Sequence, residues 1–255
     1  AHAVIWTTTP WTIPVNQALA YGPEVEYVIV TLTGWRGEEL EHGTVRPIDT
    51  RDVGQFTAIV AEELLPTFRE DRAKLGLVEI IKRVKGSDLA GTVARHPMHH
   101  LGGFYAKPRP FLPGEFVTTD SGTGLVHMSP DHGEDDFLLC RANGLEPVFA
   151  VMADGRYRDD WEWLGADDVD ADGKERRRSV INKPFNSPEG PICSDLREAG
   201  ALLSASDDYQ HSYPHSWRSK AKVIYRCTPQ WFVPMDKELG GGGTLRSRAM
   251  GEIER

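Results

Sequence analysis

EFVTTDSGTGLVHMSPDHGEDDFLLCRANG, residues 115–144, carries the densest structural instruction in the chain. Glu115-Phe116-Val117-Thr118 predicts a strand, Gly122-Thr123-Gly124 a turn, and Leu125-Val126-His127-Met128 a second strand. Pro130-Asp131-His132-Gly133 reads as a loop. Glu134 to Asn143 then predicts a helix that ends at Gly144, with Glu134, Asp135 and Asp136 at its positive N-terminal end. Polar side chains at a junction of strand, glycine-containing loop and helix start are well placed to build a site. An acidic helix start accounts for Glu134 and Asp135 without any site, but it does not account for the strand-borne His127.

Upstream, Ala3-Val4-Ile5-Trp6 is β-prone, Pro10 and Pro14 interrupt, and Tyr27 to Thr31 predicts another strand. Ala58 to Leu65 reads as a helix stopped by Pro66, Val78 to Val84 as a strand, and Ala94 to Pro113 as loop with short strands. Downstream, residues 154–189 are acidic and poorly periodic, which predicts a surface insertion. Asp195 to Leu203 reads as a short helix with Ser194 as its cap. Val223-Ile224-Tyr225 and Trp231-Phe232-Val233 are β-prone, and Gly240 to Gly243 predicts flexibility.

The 255 residues are 40% hydrophobic, enough for one large or two small globular units. No run approaches the roughly 18 apolar residues of a membrane span. The chain begins on an apolar alternation with no signal-peptide pattern, as a piece of a longer chain would. Cys140, Cys193 and Cys227 are odd in number and widely spaced, so a reducing cytoplasm is the simplest setting. With 38 acidic against 29 basic residues, the net charge of −9 does not suit a free-standing nucleic-acid binder. Cations cluster locally at Lys82, Arg83 and Lys85, at Lys174 and Arg176 to Arg178, and at Arg218, Lys220, Lys222 and Arg226.

Two constellations could carry chemistry. Thr7-Thr8-Thr9-Pro10-Trp11-Thr12, with Asn16 beyond, offers hydroxyls to a polar ligand or a water and an aromatic wall, although threonine is also simply β-prone. His127 with Asp131, His132, Glu134, Asp135 and Asp136 could bind a metal, perform acid–base chemistry, or hold an ammonium group. It lacks a recognised ligand spacing such as HExxH, and no GxSxG, Walker A or GxGxxG pattern occurs. Residue patterns alone support a cytosolic globular domain with a polar site and do not choose a reaction.

A resemblance does choose. Ile5-Trp6-Thr7-Thr8-Thr9-Pro10-Trp11-Thr12-Ile13-Pro14-Val15-Asn16 resembles the threonine-rich signature of the isoleucyl-tRNA synthetase editing insertion, also called the connective peptide. Valyl and leucyl relatives typically have Arg in the third threonine's place and an acidic residue in that of Trp11, which favours the isoleucyl branch. Gly122 to His127, followed by His132-Gly133-Glu134-Asp135-Asp136-Phe137, is similar to the second editing motif. Gln210 to Arg218 and Thr228 to Phe232 resemble the stretch where the insertion returns to the synthetase body. The matches span nearly the whole chain in family order.

The resemblance implies an α+β, mainly β fold: a β-barrel-like editing core with peripheral helices over residues 1–236. Residues 237–255 would be a flexible Gly-rich segment leading back to the synthetase body. It implies a hydrolase that deacylates valine wrongly attached to isoleucine tRNA, the proofreading part of an ATP-dependent isoleucine–tRNA ligase. A pocket for isoleucine discriminates against valine by only about 1–3 kcal/mol per methylene, the known reason this family edits. The implied roles are Asp136 on the substrate's α-ammonium, His127 as the size filter, Thr7, Thr8 and Thr9 at the terminal adenosine and attacked carbonyl, and Trp11 and Asn16 shaping the pocket.

The implied partners are the acceptor end of isoleucine tRNA carrying valine and the rest of the synthetase chain, with no membrane. No cofactor is expected, because ATP and magnesium belong to a synthetic part whose HIGH and KMSKS signatures are missing here. Two departures stand out. Asp131 occupies the family's usual Gly position, which would add a charge beside the pocket. Ser216 and Ser219 stand where some relatives carry a CxxC zinc half-site, so no zinc is expected. Rival readings are valyl or leucyl editing, a metal-dependent hydrolase built on His127, His132 and the carboxylates, and a non-catalytic module docking the tRNA acceptor end.

Overall fold

Tyr27, Val28, Val30 and Leu32 are at most 1% exposed, so the strand that carries them is covered on both faces. An almost unbroken apolar run is the pattern of such a central strand. The computed structural model describes residues 1–33, 38–39, 45–46, 55–70, 78–163, 179–181 and 185–254. In chain order the elements are β1 (His2–Ala3), β2 (Ala18–Tyr21), β3 (Glu26–Thr33), β4 (Glu38–Glu39), β5 (Val45–Arg46) and β6 (Gln55–Ala61). They continue with α1 (Leu65–Glu70), β7 (Val78–Lys85), β8 (Val93–Ala94), α2 (Gly103–Ala106), β9 (Arg109–Pro113), β10 (Leu125–Met128) and α3 (Glu134–Ala142). Last come α4 (Pro191–Glu198) and α5 (Leu245–Ile253).

The strands form two mixed four-stranded sheets, β1-β6-β3-β7 and β10-β2-β9-β8, with β4 and β5 as a separate pair. Parallel pairs are β1 with β6 and β2 with β9; the other neighbours run antiparallel. The fold is therefore α+β, and the expected barrel-like core is corrected: the described strands make two open sheets. Edge strand β7 is largely exposed. It carries Lys82, Arg83 and Lys85, charges that discourage edge-to-edge pairing. Arg83 pairs with Glu62 at 2.8 Å and Lys85 with Glu24 at 2.7 Å, so this cluster is an ordinary solvated face.

One turn locks the sheets together. The Tyr27 hydroxyl accepts from the Gly22 amide at 3.0 Å and donates to the Gly124 carbonyl at 2.6 Å. Thr123 donates its hydroxyl to the Val4 carbonyl at 2.5 Å and accepts the Ala61 amide at 2.8 Å. Gly124 has φ +77°, and a Cβ there would lie 2.5 Å from the Ala61 Cβ, so the approach needs glycine.

Several expected elements move. Ala58–Leu65 is not a helix: β6 runs to Ala61 and α1 begins at Leu65, with Pro66 in its first turn, where a missing N–H costs nothing. Glu115–Thr118 is a turn after β9, and the buried β2 was not anticipated. The fourth helix starts at Pro191 rather than Asp195, with Gly190 and not Ser194 at its N-cap position. Val223–Tyr225 and Trp231–Val233 form no strand, although Lys222 bridges to His215. The glycine run leads into α5, whose Thr244 forms a capping box with Ser247. Within the acidic stretch, Tyr157, Trp161, Trp163, Val180 and Phe185 are buried in a core shared with Trp11 and Tyr105. Residues 164–178 and 182–184 of it, including Lys174 and Arg176 to Arg178, lie outside the described residues.

Candidate functional site

The threonine loop and the 125–144 segment meet because β2 pairs with β10. Leu19 opposes His127 and Ala18 opposes Met128, so the 3-10 helix just before β2 (Pro10–Val15) lies beside the end of β10. Thr12 in that helix donates its hydroxyl to the Thr9 carbonyl at 2.9 Å. Its oxygen also lies 3.0 Å from His127 Nε2, a hydrogen bond that ties the imidazole to the threonine loop. Ser129 donates its hydroxyl to the Thr12 carbonyl at 2.9 Å, and its amide donates to Asp136 Oδ1 at 2.6 Å. Thr12 thus joins the two motifs, its side chain bonded to His127 and its carbonyl linked through Ser129 to Asp136. Thr9 donates its amide to the Thr7 hydroxyl at 3.0 Å, and Thr8 is half-buried between them.

Burial sets the charge states. It holds the His127 imidazole down to about 4, with repulsion from His132 adding to the effect, so His127 is neutral at physiological pH. Burial pushes Asp136 up to about 6, against the lowering effect of the Ser129 and Asp136 amides. Asp136 lies in the first turn of α3 with Glu134 and Asp135, and Gly133 is the N-cap. A Cβ on Gly133 would come within 2.3 Å of Asp136 Oδ2, so the carboxylate occupies space that only glycine leaves open.

The other candidates sit deeper. Trp11 is 4% exposed and meets the His132 ring edge-on at 4.5 Å. Asn16 is buried, its amide donating to the Ala18 carbonyl at 2.8 Å and joining the helix to β2. His132 donates Nδ1–H to the Tyr225 carbonyl at 2.9 Å, and its Nε2 is buried with no partner among the described residues. Asp131 is 1% exposed and turned inward, accepting the amides of Val148 at 3.0 Å and Phe149 at 2.5 Å. Its charge is spent on a loop in which Phe149 has φ +51°, not placed at a pocket mouth. Ser216 and Ser219 close a turn, the Ser219 amide donating to the Ser216 hydroxyl at 3.2 Å. Among the described residues no three His, Cys, Asp or Glu side chains are gathered as a metal would require.

Sequence reasoning overlooked Ser129, the link between both halves of the site. Its position two residues after His127, where strand gives way to loop, was the available signal.

No protein-family model matches the chain. It is 50% identical over 257 residues to the isoleucine–tRNA ligase of Zymomonas mobilis, covering 99% of this chain and 24% of that protein. It is 41% identical over 262 residues to that of Gluconobacter oxydans, covering 99% and 24%, and 38% identical over 263 residues to that of Mesorhizobium japonicum, covering 100% and 25%. The chain thus spans about a quarter of the length of these curated relatives. Among solved structures, it is similar to the Plasmodium knowlesi cytosolic leucyl-tRNA synthetase editing domain with a TM-score of 0.39 and 17% identity, over 56% of this chain and 51% of that one. The P. falciparum counterpart gives 0.35 and 14% over 51% and 42%. The class these sequence relatives define is the aminoacyl-tRNA ligases. Within it, the chain is similar over nearly its whole length to a segment of the isoleucine–tRNA ligases.

Proposed function

We propose that the chain is the editing part of an isoleucine–tRNA ligase and hydrolyses the ester that joins valine to isoleucine tRNA. The observation that carries this reading is the branching of hydrogen bonds at Thr12, to His127 from its side chain and through Ser129 to Asp136 from its carbonyl, which unites both motifs of the resemblance in one polar site. Asp136, ionised at neutral pH, pairs with the substrate's α-ammonium, a charge-assisted contact indifferent to the amino acid's side chain. His127, neutral and fixed by Thr12, is a rigid wall that limits side-chain size rather than a proton acceptor. The Thr7, Thr8 and Thr9 hydroxyls contact the terminal nucleotide and the ester carbonyl, while Trp11 and Asn16 back the pocket from inside the fold. Water oxygen attacks the carbonyl carbon, the bond to the ribose oxygen breaks, and that oxygen takes up a proton as valine leaves. An aminoacyl ester is already activated, so positioning the water and polarising the carbonyl supply much of the acceleration.

The test is deacylation of valine-charged and isoleucine-charged isoleucine tRNA, with and without chelator. Selective valine release that survives chelator and falls by about 100-fold in Asp136→Ala is expected. Loss of activity with chelator would replace this reading with a metal-dependent hydrolase. Tight tRNA binding without turnover would replace it with a docking module.

A further inference from the structure

Four consecutive carbonyls of the Pro10–Val15 helix, those of residues 11 to 14, each accept a side chain from elsewhere in the chain. The Tyr157 hydroxyl donates to Trp11, the Ser129 hydroxyl to Thr12 at 2.9 Å, His96 Nε2 to Ile13 at 3.2 Å and the Tyr105 hydroxyl to Pro14 at 2.9 Å. The helix cannot supply two of these bonds itself. A carbonyl in a 3-10 helix takes the amide three residues on. Trp11 would need the amide hydrogen of Pro14, which has none. Pro14 would need that of Gln17, which donates to the Met128 carbonyl at 2.8 Å. Tyr157 and Tyr105 fill those two places, while Ile13 takes His96 in addition to the Asn16 amide at 3.0 Å.

All four donors are at most 3% exposed, and their neighbours hold them in place. The Met98 amide donates to His96 Nδ1, which leaves the proton of that ring on Nε2 for Ile13. The His96 and Tyr105 rings lie 5.0 Å apart, and both meet Trp163 edge-on, at 5.9 and 5.8 Å. Tyr157 is packed in the same aromatic core. Phenylalanine would fill that apolar space as well, so what each tyrosine adds is its bond to the helix. None of the four belongs to the motifs that carry the resemblance. They come from three separate parts of the chain: residues 96–105, the residue after β10, and the acidic stretch.

The clamped segment carries Thr12, which lies 3.0 Å from His127 Nε2, and Ser129 Oγ lies 3.5 Å from Nδ1 of the same ring. Where the helix sits therefore sets where the imidazole stands. We propose that Tyr157, Ser129, His96 and Tyr105 are positioning residues that set the size limit of the pocket by fixing the helix against His127. The proposal rests on the editing reading, in which His127 bounds the substrate's side chain. With a carbonyl released, the helix can shift off β10, and the space beside His127 grows to admit one more methylene. Donors that only held the fold together would, when removed, lower valine and isoleucine release alike and raise neither.

The experiment measures kcat and KM for release of valine and of isoleucine from isoleucine tRNA by the 255-residue chain and by Tyr157→Phe, Tyr105→Phe and Ser129→Ala. Each variant should lower the valine-to-isoleucine ratio of kcat/KM by about tenfold, the worth of one buried hydrogen bond, through a rise in isoleucine release. Tyr27→Phe, at a buried tyrosine whose bonds go to Gly22 and Gly124, should leave the ratio within about twofold. Thermal melts of every variant check in parallel that the fold is kept. A ratio unchanged in the three variants, or lowered equally by Tyr27→Phe, overturns the proposal. A second readout needs no turnover: the His127 ring signals of a histidine-labelled chain, followed by NMR. They should shift or double in Tyr157→Phe, while those of the exposed His211 stay where they are. Unmoved His127 signals overturn the clamp even with valine release intact. Moved signals in a chain that releases no valine remove only the editing reading.

Discussion

Asp136 carries two opposed demands. Its buried setting holds the carboxyl at about 6, above its ordinary 3.8, so the folded state grips the proton more tightly than the unfolded chain does. The resulting contribution to stability is full below pH 3.8 and is lost as pH rises through about 6. Ionised Asp136 therefore costs stability at neutral pH in exchange for a charge that binds an ammonium group. Asp136→Asn should abolish valine release yet raise unfolding free energy by about 1–2 kcal/mol at pH 8, read from urea melts. In the parent chain, kcat/KM for valine release should be level above pH 7 and fall about tenfold per unit below pH 6. A rate that rises as pH drops through 6 would remove Asp136 from this role. The residue pattern pointed to a polar site around His127 and Asp136, and only the resemblance assigned roles. What sequence left hidden was orientation: the inward turn of Asp131 depends on amides of Val148 and Phe149, far along the chain.

At the scale of elements, α3 presents Asp136 only because the residue before it has no side chain. Gly133→Ala would set a Cβ 2.3 Å from Asp136 Oδ2 and push the carboxylate off the Ser129 amide. The expected result is a fall of at least tenfold in valine release with the thermal midpoint nearly unchanged. Equal activity would show that Asp136 need not sit where the structure has it. The helix itself was legible from its acidic start and its end at Gly144, and so were β3, β7 and β10. Ala58–Leu65 was not, because Ala, Glu and Leu fit a helix while pairing of Val28 with Val60 and Ile29 with Ile59 decides for a strand. Four residues of small or mixed type, Ala18 to Tyr21, give too short a pattern to announce a fully buried strand. Closure of the sheets was illegible for a similar reason: it depends on which strands become edges.

Across the whole molecule, buried neutral histidines set a limit in acid. His96 donates Nε2–H to the Ile13 carbonyl at 3.2 Å and accepts the Met98 amide at 3.1 Å on Nδ1, so protonation must break the second bond. Burial holds it down to about 3 and His127 to about 4, both below the unfolded 6.5. Stability is then intact above pH 6.5 and drains as pH falls toward 4, by about 2 kcal/mol per histidine at pH 5, with Asp136 offsetting part. Denaturant melts at pH 7 and pH 5 should differ by about 2–4 kcal/mol; an unchanged midpoint would mean that these imidazoles charge freely in the fold.

The Tyr27 hydroxyl has a use in the laboratory as well as in the fold. The Gly22 amide that it accepts belongs to the end of one sheet, whereas Tyr27 belongs to the other. That single proton is a natural gauge of whether the sheets part. Its deuterium exchange should be as slow as that of the Val28 and Val60 amides, and Tyr27→Phe should let it exchange at least tenfold faster while those two stay protected. Fast exchange in the parent chain would instead show two sheets that breathe independently, with the threonine loop and α3 riding on one of them.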